Sequence, residues 1–130
     1  MQYFANKEIT KTVKSYMIPV DLYKRNVEII FSPQSEKLEK DWGKETAGVE
    51  AQTRNYINEC GKVTISFYAT SINISTAVHE LAHATQMILF HAGHDHAQEE
   101  ADEPFAYLLG YLVEEFFKLC KKQKVTLKKQ

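Results

Sequence analysis

The stretch Thr76–His91 contains no Gly or Pro and carries the sequence HELAH at residues 79–83. In a helix, residues i and i+4 lie on the same face, so the imidazoles of His79 and His83 would sit one turn apart. Two imidazoles placed in this way can bind one Zn²⁺, each at about 2.0–2.1 Å. Glu80 lies about 100° around the helix from His79, within reach of a water at the metal. The motif therefore predicts two metal ligands and a general base within one helical turn.

The sequence on both sides of the motif favours this helix. Residues Lys62–Tyr68 alternate in polarity and are rich in β-branched and aromatic side chains, which predicts a strand. Gly93 can end the helix. Four residues after the strand can each cap the start of the helix: Ser71, Asn73, Ser75 and Thr76. A broad apolar face is predicted to face the core: Val78, Leu81, Ala82, Thr85, Ile88 and Leu89.

Length and composition predict one domain over residues 1–130. Hydrophobic residues make up 44% and charged residues 25%, which is typical of a soluble globular protein. A net charge of −1 argues against nucleic acid and anionic membranes as partners. The chain has neither an apolar run of about 20 residues nor a signal-peptide pattern at its start. Because Cys60 and Cys120 form no CxxC motif, we expect a reduced, cytoplasmic protein.

The remaining pattern predicts an α+β fold with a small, mostly antiparallel sheet packed on the motif helix and a C-terminal helix. Short strands are expected at Ile18–Val20 and Val27–Phe31, the second ended by Pro33. Residues 34–47 are polar, with a short helix expected at Ser35–Lys40. Gly48–Thr53 is expected to pair with Lys62–Tyr68 as a hairpin, through the segment Asn55–Gly61.

The apolar segment Phe105–Phe117 predicts the C-terminal helix, with Asp102 as its cap and Pro104 near its first turn. Gly110 is unfavourable in mid-helix and suggests close packing against the motif helix. Beyond Lys118 the chain becomes basic, and we expect residues 121–130 to be a frayed, solvated and disordered end rather than a nucleic-acid contact.

A hydrolytic zinc site usually has three protein ligands and one open position. Downstream of the motif, the candidates for the third ligand are His91, His94, His96, Glu99, Glu100, Asp102 and Glu103. On a continuous helix His91 lies more than about 10 Å from His83 along the axis, which is too far. Glu103 stands near the start of the C-terminal helix. If that helix packs antiparallel or crosswise on the first, Glu103 can point its carboxylate at the metal.

The motif HELAHA at residues 79–84, followed by DEPFAY at residues 102–107, resembles the gluzincin-type metallopeptidases. In that clan the third ligand is a Glu on the helix after the motif. The pattern ExxAYLxGY at residues 103–111 is also similar to small phage- and prophage-type metallopeptidases of minimal zincin fold. The resemblance covers residues 62–117. It implies Zn²⁺ bound by His79, His83 and Glu103, and a peptide or protein substrate.

Two features depart from the larger gluzincins. Four positions after the ligand Glu they often have an Asp that orients the first His, whereas this chain has Tyr107. Tyr107 could donate to an imidazole or polarise a substrate carbonyl, or it could be a core residue. The chain also lacks the second lobe that carries substrate pockets.

Other third ligands remain open: His94 or His96, as in the SprT-like arrangement, and Glu99 or Glu100.

The sequence therefore predicts a zinc-dependent peptide hydrolase in which Glu80 accepts a proton from the attacking water. The outer edge of the strand Lys62–Tyr68 could pair with an extended peptide. Two alternatives stay open. The chain could be a zinc-binding interaction module without turnover, or a metal-free protein in which the motif is fortuitous.

Overall fold

The computed structural model of the protein describes residues 4–8, 13–32, 50–69, 71–93 and 99–129, with the backbone alone described for 4–8 and 99–102. The polar segment 34–47, with the helix expected at Ser35–Lys40, lies outside the described residues. The elements in chain order are β1 (Phe4–Glu8), β2 (Lys14–Val20), a 3-10 helix (Asp21–Tyr23), β3 (Arg25–Phe31), β4 (Ala51–Tyr56), α1 (Ile57–Cys60), β5 (Lys62–Phe67), β6 (Ser71–Asn73), α2 (Ile74–His91), α3 (Glu99–Gln123) and β7 (Thr126–Lys128).

The first five strands form one sheet in the order β1-β2-β3-β5-β4. Neighbouring strands are antiparallel except β3 and β5, which are parallel. The predicted hairpin is present, because β4 and β5 pair antiparallel and α1 with Gly61 makes the turn between them. The α+β fold with a mostly antiparallel sheet is therefore confirmed, as are the strands expected at Ile18–Val20 and Val27–Phe31, which lie inside β2 and β3. β5 covers all of the predicted Lys62–Tyr68 except its last residue, and β4 overlaps the predicted Gly48–Thr53 from Ala51 onwards.

One face of the sheet packs against α2 and α3 to form the core. Alternate residues of the central strands point to this face, because side chains along a strand alternate between its two sides. In β5 these are Val63, Ile65 and Phe67, none of which is exposed. Phe67 contacts Phe116 of α3 with ring centroids 5.3 Å apart. These contacts fix both helices on the sheet.

The motif helix α2 begins two residues earlier than predicted and ends at His91 as predicted. Its N-cap is Asn73, but the Asn73 side chain makes no capping bond. Instead the backbone N–H and the side-chain amide of Asn73 donate to the Glu50 carboxylate, at 3.2 and 3.3 Å. Gly93 follows the helix with a φ of +90°, a left-handed conformation that glycine adopts readily. The start of α2 is thus tied to the residue that precedes β4.

The C-terminal helix α3 is longer at both ends than the predicted Phe105–Phe117. Asp102 is a helical residue and not the cap, so that prediction is wrong. Pro104 lies inside the helix, close to its first turn. Pro104 cannot donate to the carbonyl of Glu100, and the helix loses one hydrogen bond there. The acidic residues around Pro104 interact favourably with the partial positive charge at the helix N-terminus, and this interaction offsets part of the lost hydrogen bond.

Gly110 does not pack against the motif helix, as the sequence suggested. It is exposed, and a Cβ added to it would meet no atom within 4 Å. The reason is its position on α3, since the buried residues Leu108 and Leu112 define the core side and Gly110 lies on the opposite side. The glycine therefore costs helix stability without a packing benefit.

We expect Gly110→Ala to raise the free energy of unfolding by about 0.5–1 kcal/mol, because alanine loses less backbone entropy in a helix. Urea denaturation followed by circular dichroism measures this change. Gly61→Ala is the matched control, since its Cβ also meets nothing within 4 Å but its φ is +70°. That variant should lose about 1–2 kcal/mol. A loss of stability in Gly110→Ala would contradict the assignment of Gly110 to an open surface.

The basic end of the chain is ordered up to Lys129, contrary to the expectation of a disordered tail over 121–130. Helix α3 continues to Gln123, and β7 then pairs parallel with β6, with Leu127 opposite Ile72. Val125 and Leu127 pack against the core, and these two apolar residues hold the basic segment in place. Because β6 directly precedes α2, the end of α3 lies beside the start of α2, and the two helices run in opposite directions.

Candidate metal and catalytic site

Helix α2 presents His79 and His83 to solvent. Both imidazoles are exposed, whereas Leu81, Ala84 and Ile88 are buried in the core. This division follows from the helical period, because residues 79 and 83 fall on the side opposite the apolar stripe. The two predicted ligands therefore share one face, and that face is open to a ligand from outside the helix.

The two imidazoles are close enough to bind one ion together. The Nε2 atoms of His79 and His83 lie 3.1 Å apart, and the ring planes meet at 87°. In the neutral pair one Nε2–H can donate to the other Nε2, which orients both nitrogens towards the same point. The pair has the arrangement that the motif predicted.

Glu80 lies at the boundary between this face and the core, with 9% of its surface exposed. The Thr53 hydroxyl on β4 donates to Glu80 Oε1 at 2.5 Å. The same hydroxyl oxygen is 3.3 Å from the backbone carbonyl oxygen of Glu80. This contact fixes the carboxylate of the motif against strand β4, and it leaves Oε2 as the oxygen that Thr53 does not hold.

Tyr68 follows β5 and lies on the other face of the sheet, because its partner Gln52 alternates with Thr53 along β4. Burial raises the pKa of Tyr68 to about 12, and the negative charge of Glu80 acts in the same direction. The hydroxyl donates to Gln52 Oε1 at 3.3 Å. Tyr68 is therefore not part of the candidate site. Sequence analysis missed Thr53 as a site residue, although Thr53 lies in a predicted strand.

Strand β4 forms the edge of the sheet next to α2. Among the described strands it pairs with β5 alone, and its other side has no strand partner. The suggestion that an extended peptide could pair with Lys62–Tyr68 is wrong, because β5 lies between β3 and β4 and has no outer edge. Among the described strands, the edge beside Glu80 that has no strand partner belongs to β4.

Glu103, the predicted third ligand, is exposed and lies in a different part of the surface. It lines a groove of about 630 Å³ together with the 3-10 helix Asp21–Tyr23, and neither motif histidine lines that groove. The groove lies towards the C-terminal end of α2. There His91 Nε2 lies 2.7 Å from Nη2 of Arg25, a residue that follows the 3-10 helix in the chain. The histidine pair lies near the middle of α2. Over the described residues, no three His, Cys, Asp or Glu side chains form a group that could hold a metal ion.

The other candidates for the third ligand fall where side chains are not described. His94 and His96 lie outside the described residues, and only the backbone is described at Glu99, Glu100 and Asp102. Glu103 as a ligand, and each of these alternatives, therefore stays a prediction.

Tyr107 is 76% exposed and lines the same groove as Glu103. Its interpretation as a core tyrosine is therefore wrong, because it lies on the outer side of α3. Its proposed hydrogen bond to an imidazole or a substrate carbonyl stays a prediction.

Comparisons with known proteins gave no match: no family model, curated protein or solved structure is similar to the chain. Within the described ranges, no helix is long and apolar enough to cross a membrane. The functional argument therefore depends on the geometry around α2 and β4, where the histidine pair, the Glu80 carboxylate and a free strand edge lie together.

Proposed function

We propose that the protein is a zinc-dependent hydrolase that cleaves peptide bonds, with His79 and His83 as metal ligands and Glu80 as general base. One observation supports this most directly. The two Nε2 atoms lie 3.1 Å apart on an exposed helix face, and the adjacent carboxylate is held by a hydrogen bond from an edge strand.

The donor set fits zinc. Two nitrogens each at about 2.0–2.1 Å from a tetrahedral ion lie about 3.3–3.4 Å apart, so the observed separation needs only a small opening of the pair. Neutral imidazole is a ligand that Zn²⁺ prefers. The resemblance to gluzincins supplies Glu103 as the proposed third ligand, and the sequence alternatives after α2 remain open.

Zn²⁺ bound by these residues would act as a Lewis acid and lower the pKa of a bound water towards about 7. Glu80 is placed to accept the proton of the attacking water and to deliver it to the leaving amine. Thr53 holds Oε1 of Glu80, so Oε2 is the oxygen proposed to carry the proton.

The proposed substrate is an extended peptide that pairs with β4. An edge strand offers unpaired backbone N–H and C=O groups, which bind another extended chain by strand addition. Thr53 lies on β4 and contacts Glu80 directly, so a peptide paired with β4 would pass close to the proposed base. The free edge of β4 thus supports a peptide over a small ester or phosphate substrate.

Purified, tag-free protein loaded with one equivalent of Zn²⁺ should hydrolyse members of a fluorogenic peptide library. A chelator should abolish the activity, and added Zn²⁺ should restore it. Zinc-loaded protein that binds the metal tightly and cleaves no peptide would contradict the proposed hydrolase and support the zinc-binding interaction module.

We expect Thr53→Val to lower kcat by about 10- to 100-fold, because loss of a residue that orients a site group typically has an effect of that size. Valine keeps the shape of threonine and removes only the hydroxyl that holds Glu80 Oε1. Thr53→Ser keeps a hydroxyl and should restore most of the rate. If valine and serine reduce kcat equally, Thr53 acts through packing and not through the hydrogen bond.

A further inference from the structure

The groove beside the 3-10 helix is a second, separate candidate site. It is formed by the end of β2, the 3-10 helix and the first turns of α3, and its volume of about 630 Å³ lies within the range of small-molecule sites, about 300–1,000 Å³. Its lining consists of Val20, Asp21, Leu22, Tyr23, Glu103, Pro104, Tyr107, Leu108 and Tyr111. The surface is thus mostly apolar and aromatic.

The groove exposes apolar side chains that a folded protein normally covers. Leu22 is 84% exposed and Tyr107 is 76% exposed, and both face the same opening. Large apolar side chains exposed side by side are typical of a binding surface, whereas single exposed ones are common everywhere.

The charge of the groove indicates what it binds. Asp21 and Glu103 are its charged residues, both are acidic, and neither forms an ion pair within the part of the chain that the structure describes. Burial raises the pKa of Tyr111 to about 12, and the negative charges of Glu115 and then of Asp21 act in the same direction. The Tyr111 hydroxyl donates to the Pro19 carbonyl at 2.6 Å.

We propose that this groove binds a small organic cation, a protonated amine or quaternary ammonium group attached to an aromatic or aliphatic body. The acidic side chains would pair with the charge, and the tyrosine rings would attract it through their electron-rich faces. The apolar lining would bury the body of the ligand. The inference does not depend on the proposed hydrolase. It also does not require the Glu103 carboxylate, which the proposed function assigns to zinc, because Asp21 supplies a negative charge of its own.

Two probes that differ in charge test the proposal, namely phenethylamine, which is protonated at pH 7, and 2-phenylethanol, which is neutral. In amide NMR titrations of the intact protein, phenethylamine should shift signals of Leu22 and Tyr107, and the alcohol should bind at least about fivefold more weakly. Asp21→Asn should lower the affinity for the amine by a similar factor and leave the affinity for the alcohol unchanged. Glu59→Gln, which removes an exposed carboxylate on α1, is the matched control and should change neither.

Each other outcome would overturn the proposal. Equal affinities for amine and alcohol would show a purely apolar groove, and an unchanged amine affinity in Asp21→Asn would remove the role of charge. If the amine shifts only amide signals of residues outside the groove, or does not bind at 10 mM, the groove is not its binding site. If the groove signals shift with protein concentration in the absence of probe, a second copy of the chain covers the groove instead.

Discussion

Replacing Glu80 with glutamine should leave Zn²⁺ bound and lower kcat for peptide hydrolysis by about 10²- to 10⁴-fold, the usual contribution of a general base. Glutamine has the shape of glutamate, and its Oε1 can still accept the hydrogen bond from Thr53. The fold and the imidazole pair should therefore remain, and only the ability to accept a proton is lost. Steady-state kinetics with a cleaved library peptide, and zinc content by elemental analysis, measure the two effects separately.

Glu114→Gln is the matched control for this substitution. It removes a carboxylate from α3 whose side chain is 66% exposed and pairs only loosely with Lys118, at 3.7 Å. We expect its kcat to equal that of the wild type. A Glu80→Gln variant that keeps full activity would exclude Glu80 as the base. If Glu80→Gln also loses zinc, the carboxylate is a ligand or a structural residue and the proposed division of roles is wrong.

The motif helix and the adjoining hairpin could be predicted because their signals are local. The apolar period of Thr76–His91 and the absence of Gly and Pro are enough to place α2, and the i, i+4 rule is enough to place His79 beside His83. The alternation in Lys62–Tyr68 likewise defines β5. These features need no knowledge of how distant segments meet.

The contacts that complete the site depend on tertiary register. Thr53 reaches Glu80 only because β4 is the edge strand and pairs with β5 so that Thr53 lies opposite Ile65. A shift by one residue would turn Thr53 to the other face of the sheet. Nothing in the local sequence fixes that register, so the positioning hydroxyl could not be predicted.

The errors at the C-terminal helix have a similar cause. Pro104 and Asp102 carry local signals of a helix start, but α3 begins earlier, because one missing hydrogen bond near the end of a long, well-packed helix is a small loss. The basic end was expected to be disordered from its charge, whereas Leu127 pairs opposite Ile72 of β6. In both places tertiary packing outweighs the local preference.

Replacing His83 with alanine should lower the zinc affinity by about 10²- to 10³-fold. Structural zinc sites with four ligands bind with about 10–16 kcal/mol, or roughly 2.5–4 kcal/mol per ligand. His83 is exposed, so its removal should not change the far-UV circular dichroism spectrum. Competition with a chromophoric zinc chelator measures the affinity directly.

His91→Ala is the matched control, because it removes the same side chain from the same helix at an exposed position whose partner is Arg25. Its zinc affinity should equal that of the wild type. Glu103→Gln in the same assay tests the third ligand, and we expect a loss comparable to that of His83→Ala. An unchanged affinity in Glu103→Gln would reassign the third ligand to His94, His96, Glu99 or Glu100. An unchanged affinity in His83→Ala would show that the two imidazoles, although 3.1 Å apart, do not bind the ion together.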